Sequence, residues 1–154
     1  MLVHELLANG ARLWPDREAL VCGEERLTYG RLDAAANRLA HALQQSGVGR
    51  GNRVVIILEN GVEAVVSIFG ALKAGAVSVM LHPGFKHDKL AFLLQDAEPI
   101  ALITDTLRLR ELGDLSTTGP SVRCLLMADD HRAETEQAEG RRQRAVGEGL
   151  PSAF

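Results

Sequence analysis

Residues 53–58, RVVIIL, constrain this chain more than any other stretch. Five consecutive apolar residues without alternation predict a strand covered on both faces, which is typical of parallel sheets. Helical patterns flank this run, because apolar residues recur at spacings of three and four in residues 29–47 before it and 61–75 after it. The sequence therefore predicts an α/β fold with a parallel sheet, right-handed crossovers and helices on both faces.

The same pattern continues on both sides of this central unit. Residues 2–13 have the apolar spacing of an amphipathic helix. Residues 18–29 predict a short β-hairpin around Gly23, and Thr28 is placed to cap the next helix. Gly75 is predicted to end the helix of residues 61–75 with a positive φ. Three further apolar runs predict covered strands at residues 76–81, 100–104 and 121–128, with helices at residues 86–98 and 105–115 between them.

Composition excludes several classes of function. The net charge is −3 and aromatic residues make up 4% of the chain, which argues against a nucleic-acid partner. The longest apolar run, near residues 74–81, is too short for a transmembrane segment, and no signal peptide is recognisable. Cys22 and Cys124 lie far apart in apolar runs and are predicted to be reduced core thiols. These features predict a cytoplasmic protein.

A change in composition divides the chain at residue 129. Residues 1–128 carry all the predicted strands and helices, whereas residues 129–149 contain almost no large apolar side chains. The sequence predicts one domain over residues 1–128 and a flexible linker or tail over residues 129–154.

Three linked segments carry a resemblance to a known family. The segments LTYGRLDAAANRLAHALQQSGVGRGNRVVIILEN, GVEAVVSIFGALKAGAVSVMLHPG and KLAFLLQDAEPIALIT occur in the order and spacing of the amino-terminal part of the adenylate-forming (AMP-binding) enzymes. The resemblance covers residues 1 to about 128. It implies that the whole enzyme joins a carboxylic acid to AMP, using ATP and Mg²⁺, and passes the acyl group to a thiol.

Within that superfamily, LKAGAVSVML is more similar to acyl-CoA synthetases than to peptide-synthetase adenylation domains. In the latter a proline stands where this chain has Met80, and an acidic residue where it has His82. The resemblance therefore implies a carboxylic acid and CoA as partners of the whole enzyme and does not name the acid, and it weakens the case for an amino-acid substrate.

The chemistry of the family requires parts that this sequence does not contain. A Ser/Thr/Gly-rich loop followed by lysine holds the phosphates, and a lysine in a mobile carboxy-terminal domain stabilises developing charge. Neither is recognisable within residues 1–154. The resemblance thus implies that this chain is scaffold, inactive alone, and completed by the remainder of the enzyme. Apolar surface meant for that remainder also predicts self-association.

Two stretches imitate nucleotide-binding motifs. STTGPSVR, residues 116–123, lacks the glycine and the Lys-Gly of the phosphate loop and is predicted to be an ordinary loop. GVGRGN, residues 47–52, ends a helix and opens a strand, which is the reverse of a dinucleotide-binding turn.

Few side chains qualify as site residues. His82, His87 and Asp88 match no common metal spacing, so no metal site is predicted. Asn60 follows the covered strand and is expected to cap the next helix, although the carboxyl ends of parallel strands are also where ligands bind. On that ground Asn60, His82 and Gly84 are the substrate-side candidates, and no catalytic residue is assigned.

Two other interpretations remain open from the residues alone. The chain could be a stand-alone, non-catalytic module that uses the same fold for assembly or regulation. An independent nucleotide-binding domain is the third interpretation, and the lack of a phosphate loop counts against it.

Overall fold

A computed structural model describes residues 2–128. The predicted tail, residues 129–154, lies outside the described residues. Helices and strands alternate as predicted, and their bounds are α1 Val3–Leu13, β1 Glu18–Cys22, β2 Glu25–Thr28, α2 Tyr29–Gln45, β3 Arg53–Ile57, α3 Val62–Lys73, β4 Val77–Met80, α4 His87–Ala97, β5 Ala101–Thr104, α5 Thr106–Leu112, α6 Leu115–Thr118 and β6 Cys124–Met127.

The hairpin and the first two helices form as the sequence predicts. β1 and β2 pair antiparallel around Gly23, which has a φ of 60°. The Thr28 hydroxyl accepts a hydrogen bond from the backbone N–H of Arg31 at 3.3 Å and so caps α2, as predicted. α1 packs on α2, and a Cβ on Gly10 would lie 2.6 Å from the Tyr29 ring, so only glycine allows this close approach.

Four parallel strands form the main sheet in the order β4-β3-β5-β6. β3 and β5 lie in the centre, and the apolar run of β3 is buried on both faces as predicted. The prediction that β4 and β6 are also covered is wrong. They are the edge strands, and Val77 and Met80 of β4 are 50% and 45% exposed. An apolar run reveals side-chain type, whereas coverage depends on which strands pair beside it.

The two faces of the sheet carry separate apolar cores. Val54 and Ile56 of β3 point into the core beneath α2 and α3, and Val55 and Ile57 point into the core beneath α4. The two-residue period of a strand produces this division, because successive side chains leave opposite faces. The single strand β3 therefore contributes side chains to the core under α2 and α3 and to the core under α4.

A glycine with positive φ follows each of the helices α2 and α3. Gly47 and Gly75 have φ values of 87° and 84°, as predicted for Gly75. After Gly75 the N–H of Ala76 donates to Ala71 O at 3.0 Å, and Gly75 N–H donates to Leu72 O at 3.1 Å. These paired bonds make a Schellman motif, in which the left-handed residue releases the chain from the helix toward the next strand.

The imitation motifs and the cysteines are largely as expected. Residues 47–52 end α2 and lead into β3. The STTGPSVR stretch is only partly a loop, since Leu115–Thr118 forms α6, whose first turn is capped by Asp114. Neither Cys22 nor Cys124 forms a disulfide, and Cys124 is buried while Cys22 is half-buried. Between residues 2 and 128, no helix has the length and apolar character needed to cross a bilayer.

Candidate functional site at the carboxyl edge of the sheet

The carboxyl ends of the parallel strands share one edge of the sheet. Ile56 of β3 is opposite Met80 of β4, and Ile57 is opposite Thr104 of β5. The segments that follow these strands therefore start side by side. In open α/β sheets ligands bind beyond this edge, so the turns after β3, β4 and β5 form the candidate site.

The turn after β4 is built around His82. Its ring Nδ1 accepts a hydrogen bond from the N–H of Gly84 at 2.9 Å, and its carbonyl accepts one from the N–H of Phe85 at 3.1 Å. With Nδ1 accepting, the neutral ring carries its proton on Nε2. A Cβ on Gly84 would lie 2.9 Å from the His82 ring, so the structure brings these two candidates together, and a side chain at position 84 would displace the ring from its hydrogen bond.

This geometry explains the residue type at position 82. Asp and Asn side chains commonly accept an N–H two residues later and thereby form a turn. The His82 imidazole accepts the same bond. The histidine at this position therefore has a structural role in the turn, whatever it does toward a ligand.

Phe85 anchors this turn to α4. The Lys89 ammonium lies 4.0 Å from the centroid of the Phe85 ring, and the ring of His82 lies 5.7 Å away on centroids. A cation over an aromatic face is attracted by the ring quadrupole. The turn is thus held by a side-chain hydrogen bond and by contacts of Phe85 at its far end.

A groove of about 370 Å³ lies beside this turn. Both apolar and charged residues line the groove. They are Pro83, Gly84, Phe85, Lys86, His87, Leu90, Arg108 and Glu111. Of the three predicted candidates only Gly84 lines it. The groove offers hydrogen-bond donors and charge to a ligand.

Arg108 connects the groove to the end of the central strand. Its Nη1 donates to Glu111 at 2.7 Å and its Nη2 donates to Glu59, which follows β3, at 3.1 Å. The hydrogen bond to Glu111 raises the pKa of Arg108 above its ordinary value, and Glu59 adds to the rise. The side chain is 17% exposed, so this cation is held between two carboxylates and fixes the turn after β3 against α5.

Asn60 does not cap α3, and that prediction is wrong. The helix begins after Gly61, whose extended backbone has a φ of −173° and no side chain to accept a cap bond. Asn60 is exposed, and its carbonyl accepts a hydrogen bond from the thiol of Cys22 at 3.9 Å. This contact joins the hairpin to the turn after β3 instead.

The three residues considered for a metal have other partners. His87 contacts Asp88 at 3.4 Å through Nδ1 and the Leu112 carbonyl at 3.3 Å through Nε2, while the Nδ1 of His82 is occupied by Gly84. In the part of the chain that the structure describes, no three His, Cys, Asp or Glu side chains come together as a metal-binding group.

Sequence reasoning missed Glu59, Arg108 and Glu111. Glu59 carried a usable signal, since it stands just past a covered strand where ligands and ion pairs collect. Arg108 and Glu111 lie on a predicted short helix and look like ordinary surface charges in the sequence. Their position beside Glu59 depends on how α5 packs.

Comparison with known proteins identifies the fold's relatives. The model of the AMP-binding enzyme family matches residues 7–151. The chain belongs to the AMP-binding enzyme family. The structure of MbtA from Mycobacterium smegmatis superposes with a TM-score of 0.77 at 33% identity, covering 86% of this chain and 25% of that one.

Relatives of this AMP-binding chain include two classes of enzyme. A linear gramicidin synthase protein of Brevibacillus parabrevis is 44% identical over 110 residues, which is 71% of this chain and 2% of that protein. A medium/long-chain-fatty-acid–CoA/3-oxocholest-4-en-26-oate–CoA ligase of Mycobacterium marinum is 34% identical over 116 residues, which is 75% of this chain and 21% of that protein. The chain thus spans about a fifth or less of these relatives.

Proposed function

We propose that this chain is the amino-terminal part of an AMP-forming acyl-CoA synthetase. The match to the AMP-binding enzyme family over residues 7–151 carries the proposal, and the mycobacterial CoA ligase supports the acyl-CoA subclass. The whole enzyme would use ATP and Mg²⁺ to convert a carboxylic acid to an acyl adenylate and then to a CoA thioester. The absence of a disulfide at Cys22 and Cys124 is compatible with a cytoplasmic enzyme.

In this proposal the described residues act as support. The buried strands hold the turns after β3 and β4 at one edge, where His82 and Gly84 form a fixed turn and Arg108 joins Glu59 to Glu111. Such a rigid edge can position a ligand that other parts of the enzyme activate. Asn60, His82 and Gly84 remain the proposed substrate-side residues of this chain.

The first test is pyrophosphate release with ATP, Mg²⁺ and a panel of fatty and aromatic acids. The 154-residue chain should give no turnover above a protein-free blank, because its sequence contains neither the phosphate loop nor the catalytic lysine of the family. The product of the whole reading frame that contains this chain is the matched comparison and should turn over. Turnover by the 154-residue chain itself would contradict the proposal that the catalytic groups lie in the rest of the enzyme.

A second candidate function is amino-acid adenylation. The 44% identity to the linear gramicidin synthase protein favours it, and His82 accepts the turn hydrogen bond that an acidic side chain at this position could also accept. Amino acids in the same panel distinguish the two functions. Turnover with fatty or aromatic acids and thioester formation on free CoA supports the first, whereas turnover with amino acids alone supports the second.

The length of the reading frame distinguishes the non-catalytic module from both enzymatic functions. If the reading frame ends at Phe154 and the chain binds neither ATP nor an acid, the assembly or regulatory function is favoured. If it continues into a Ser/Thr/Gly-rich loop followed by lysine, the synthetase is favoured.

A further inference from the structure

The first helix of the domain has an outward-facing apolar stripe. Leu7 and Gly10 of α1 are buried against the rest of the domain. Leu6 and Leu13 of the helix are instead 54% and 53% exposed, and Leu2, the N-cap residue just before the helix, is 61% exposed. With Asn9 they recur at spacings of four, three and four, and we call these four residues the outer stripe of α1. That spacing is the seam of a two-helix coiled coil.

We infer that the outer stripe of α1 pairs antiparallel with the same stripe of a second copy of this chain. A two-fold interface is isologous, so one surface must complement itself. In an antiparallel pair Leu2 of one copy packs beside Leu13 of the other, and Leu6 packs beside Asn9. Self-association is already expected from apolar surface meant for the remainder of the enzyme, and this inference assigns a specific surface to it.

Charges beside the stripe select the second copy as the occupant. Glu5 and Arg12 are both exposed and each immediately precedes a seam leucine, Leu6 or Leu13. Residues at this position meet each other across an antiparallel seam, so Glu5 of each copy faces Arg12 of the other. The interface therefore gains two opposite-charge contacts from a single pair of residues. A parallel pair would set Glu5 against Gly10, which has no charge.

The contacts of Glu5 and Arg12 within the domain leave both side chains able to contact a second copy. The Glu5 carboxylate accepts a hydrogen bond from the N–H of Leu2 at 2.7 Å, which engages one of its oxygens in helix capping. The salt bridges found among residues 2–128 do not include Arg12. Its guanidinium lies in the last turn of α1, where a cation is favoured by the helix dipole.

The test measures the mass of the 154-residue chain by sedimentation equilibrium over a range of concentrations. We expect a concentration-dependent monomer–dimer equilibrium. Leu6→Lys should raise the dimer dissociation constant by about tenfold or more, because it places a charge in the seam. Leu107→Lys is the matched control, since Leu107 is 59% exposed on α5, and it should leave the dissociation constant unchanged.

Charge reversal tests the pairing itself. Glu5→Arg and Arg12→Glu should each weaken dimerisation by about tenfold, since each turns two attractive contacts into repulsive ones. An equimolar mixture of the two variants should dimerise about as well as the wild type, because both contacts of the mixed dimer are again attractive. Arg38→Glu, on the exposed surface of α2, is the control for net charge.

Circular dichroism checks the variants, because Glu5→Arg also removes the cap on Leu2. If that variant is unfolded, two substitutions that keep Glu5 and its cap test the pairing: Arg12→Glu should weaken dimerisation by about tenfold, and Arg12→Lys should match the wild type to within about threefold. The inference would be overturned by a monomer at every concentration, by no rescue in the mixture of folded charge variants, or by equal dimerisation of Arg12→Glu and Arg12→Lys. A loss of dimer in Leu107→Lys equal to that in Leu6→Lys would overturn it as well. The inference would also be overturned if the chain stays monomeric but floats with lipid vesicles, and Leu6→Lys abolishes that flotation.

Discussion

Gly75 shows how one residue directs the chain from helix to strand. Its φ of 84° lies in the left-handed region, and an added Cβ would meet Arg50 atoms only at 3.5 Å or more. The constraint at this position is therefore the backbone conformation, because the surrounding space would accept a small side chain.

We expect Gly75→Val to lower the free energy of unfolding by more than about 1 kcal/mol, because a β-branched residue is strained at positive φ. Gly75→Asn should cost less, since asparagine tolerates that region. Urea melts of both variants measure this. Gly49→Ala is the control, because Gly49 has no positive φ and its nearest contact to an added Cβ is 3.8 Å away. Equal midpoints for Gly75→Val and the wild type would refute the helix-ending role.

At the scale of elements, a partly buried cluster of three polar side chains joins α2 to α3. The Lys73 ammonium, in the last turn of α3, donates to Asp33 and to Asn37 of α2 at 2.7 Å each, and Asn37 donates to Asp33 at 3.0 Å. The side chains of Lys73 and Asp33 are 11% and 18% exposed. The lysine of the LKAG stretch therefore positions one helix on the other, in addition to its favourable place at the end of α3.

We expect Asp33→Ala to destabilise the fold by about 2–4 kcal/mol, because it leaves the ammonium of Lys73 largely buried without its counter-charge. Lys73→Met should cost less, and the double variant should cost less than the sum of the two, with a coupling of about 1–3 kcal/mol. A thermodynamic cycle from denaturant melts measures the coupling. The exposed pair Arg26 and Glu18 is the control, for which the coupling should stay below about 1 kcal/mol. Comparable coupling in both pairs would show that burial does not strengthen the Lys73 contact.

For the whole molecule, the decisive feature is a sheet with an independent core on each face. Leu43 of α2 is fully buried in the core beneath α2 and α3, and Leu94 of α4 is fully buried on the other side. The central strands separate the two, so a cavity in one core leaves the packing of the other in place.

Leu43→Ala and Leu94→Ala should each cost about 2–5 kcal/mol, and the double variant should cost their sum to within about 0.5 kcal/mol. Equilibrium unfolding of the three variants tests this. Leu43→Ala combined with Val54→Ala, both in one core, is the control and should deviate from additivity. Strong coupling between Leu43 and Leu94 would show that the two faces pack as one unit.

Much of the molecule follows from local signals in the sequence. The period of apolar residues located the main helices, short apolar runs bounded by turns located the six strands, and the positions of Thr28 and Gly75 marked where helices begin and end. These signals are local, because a strand or a helix buries its apolar side according to its own repeat and its caps bond to neighbouring residues. The linked segments also identified the family.

Other properties depend on how distant elements pack. β4 and β5 are both short apolar runs, yet one is an edge and the other is central, because pairing between strands is not encoded within either run. Asn60 resembled a cap, whereas the helix began one residue later. Arg108, Glu59 and Glu111 form one cluster although Glu59 lies far from the other two in the sequence. The physical reason is the same in each case: burial and charge pairing arise between elements that are remote in sequence, and only the folded chain brings those elements into contact.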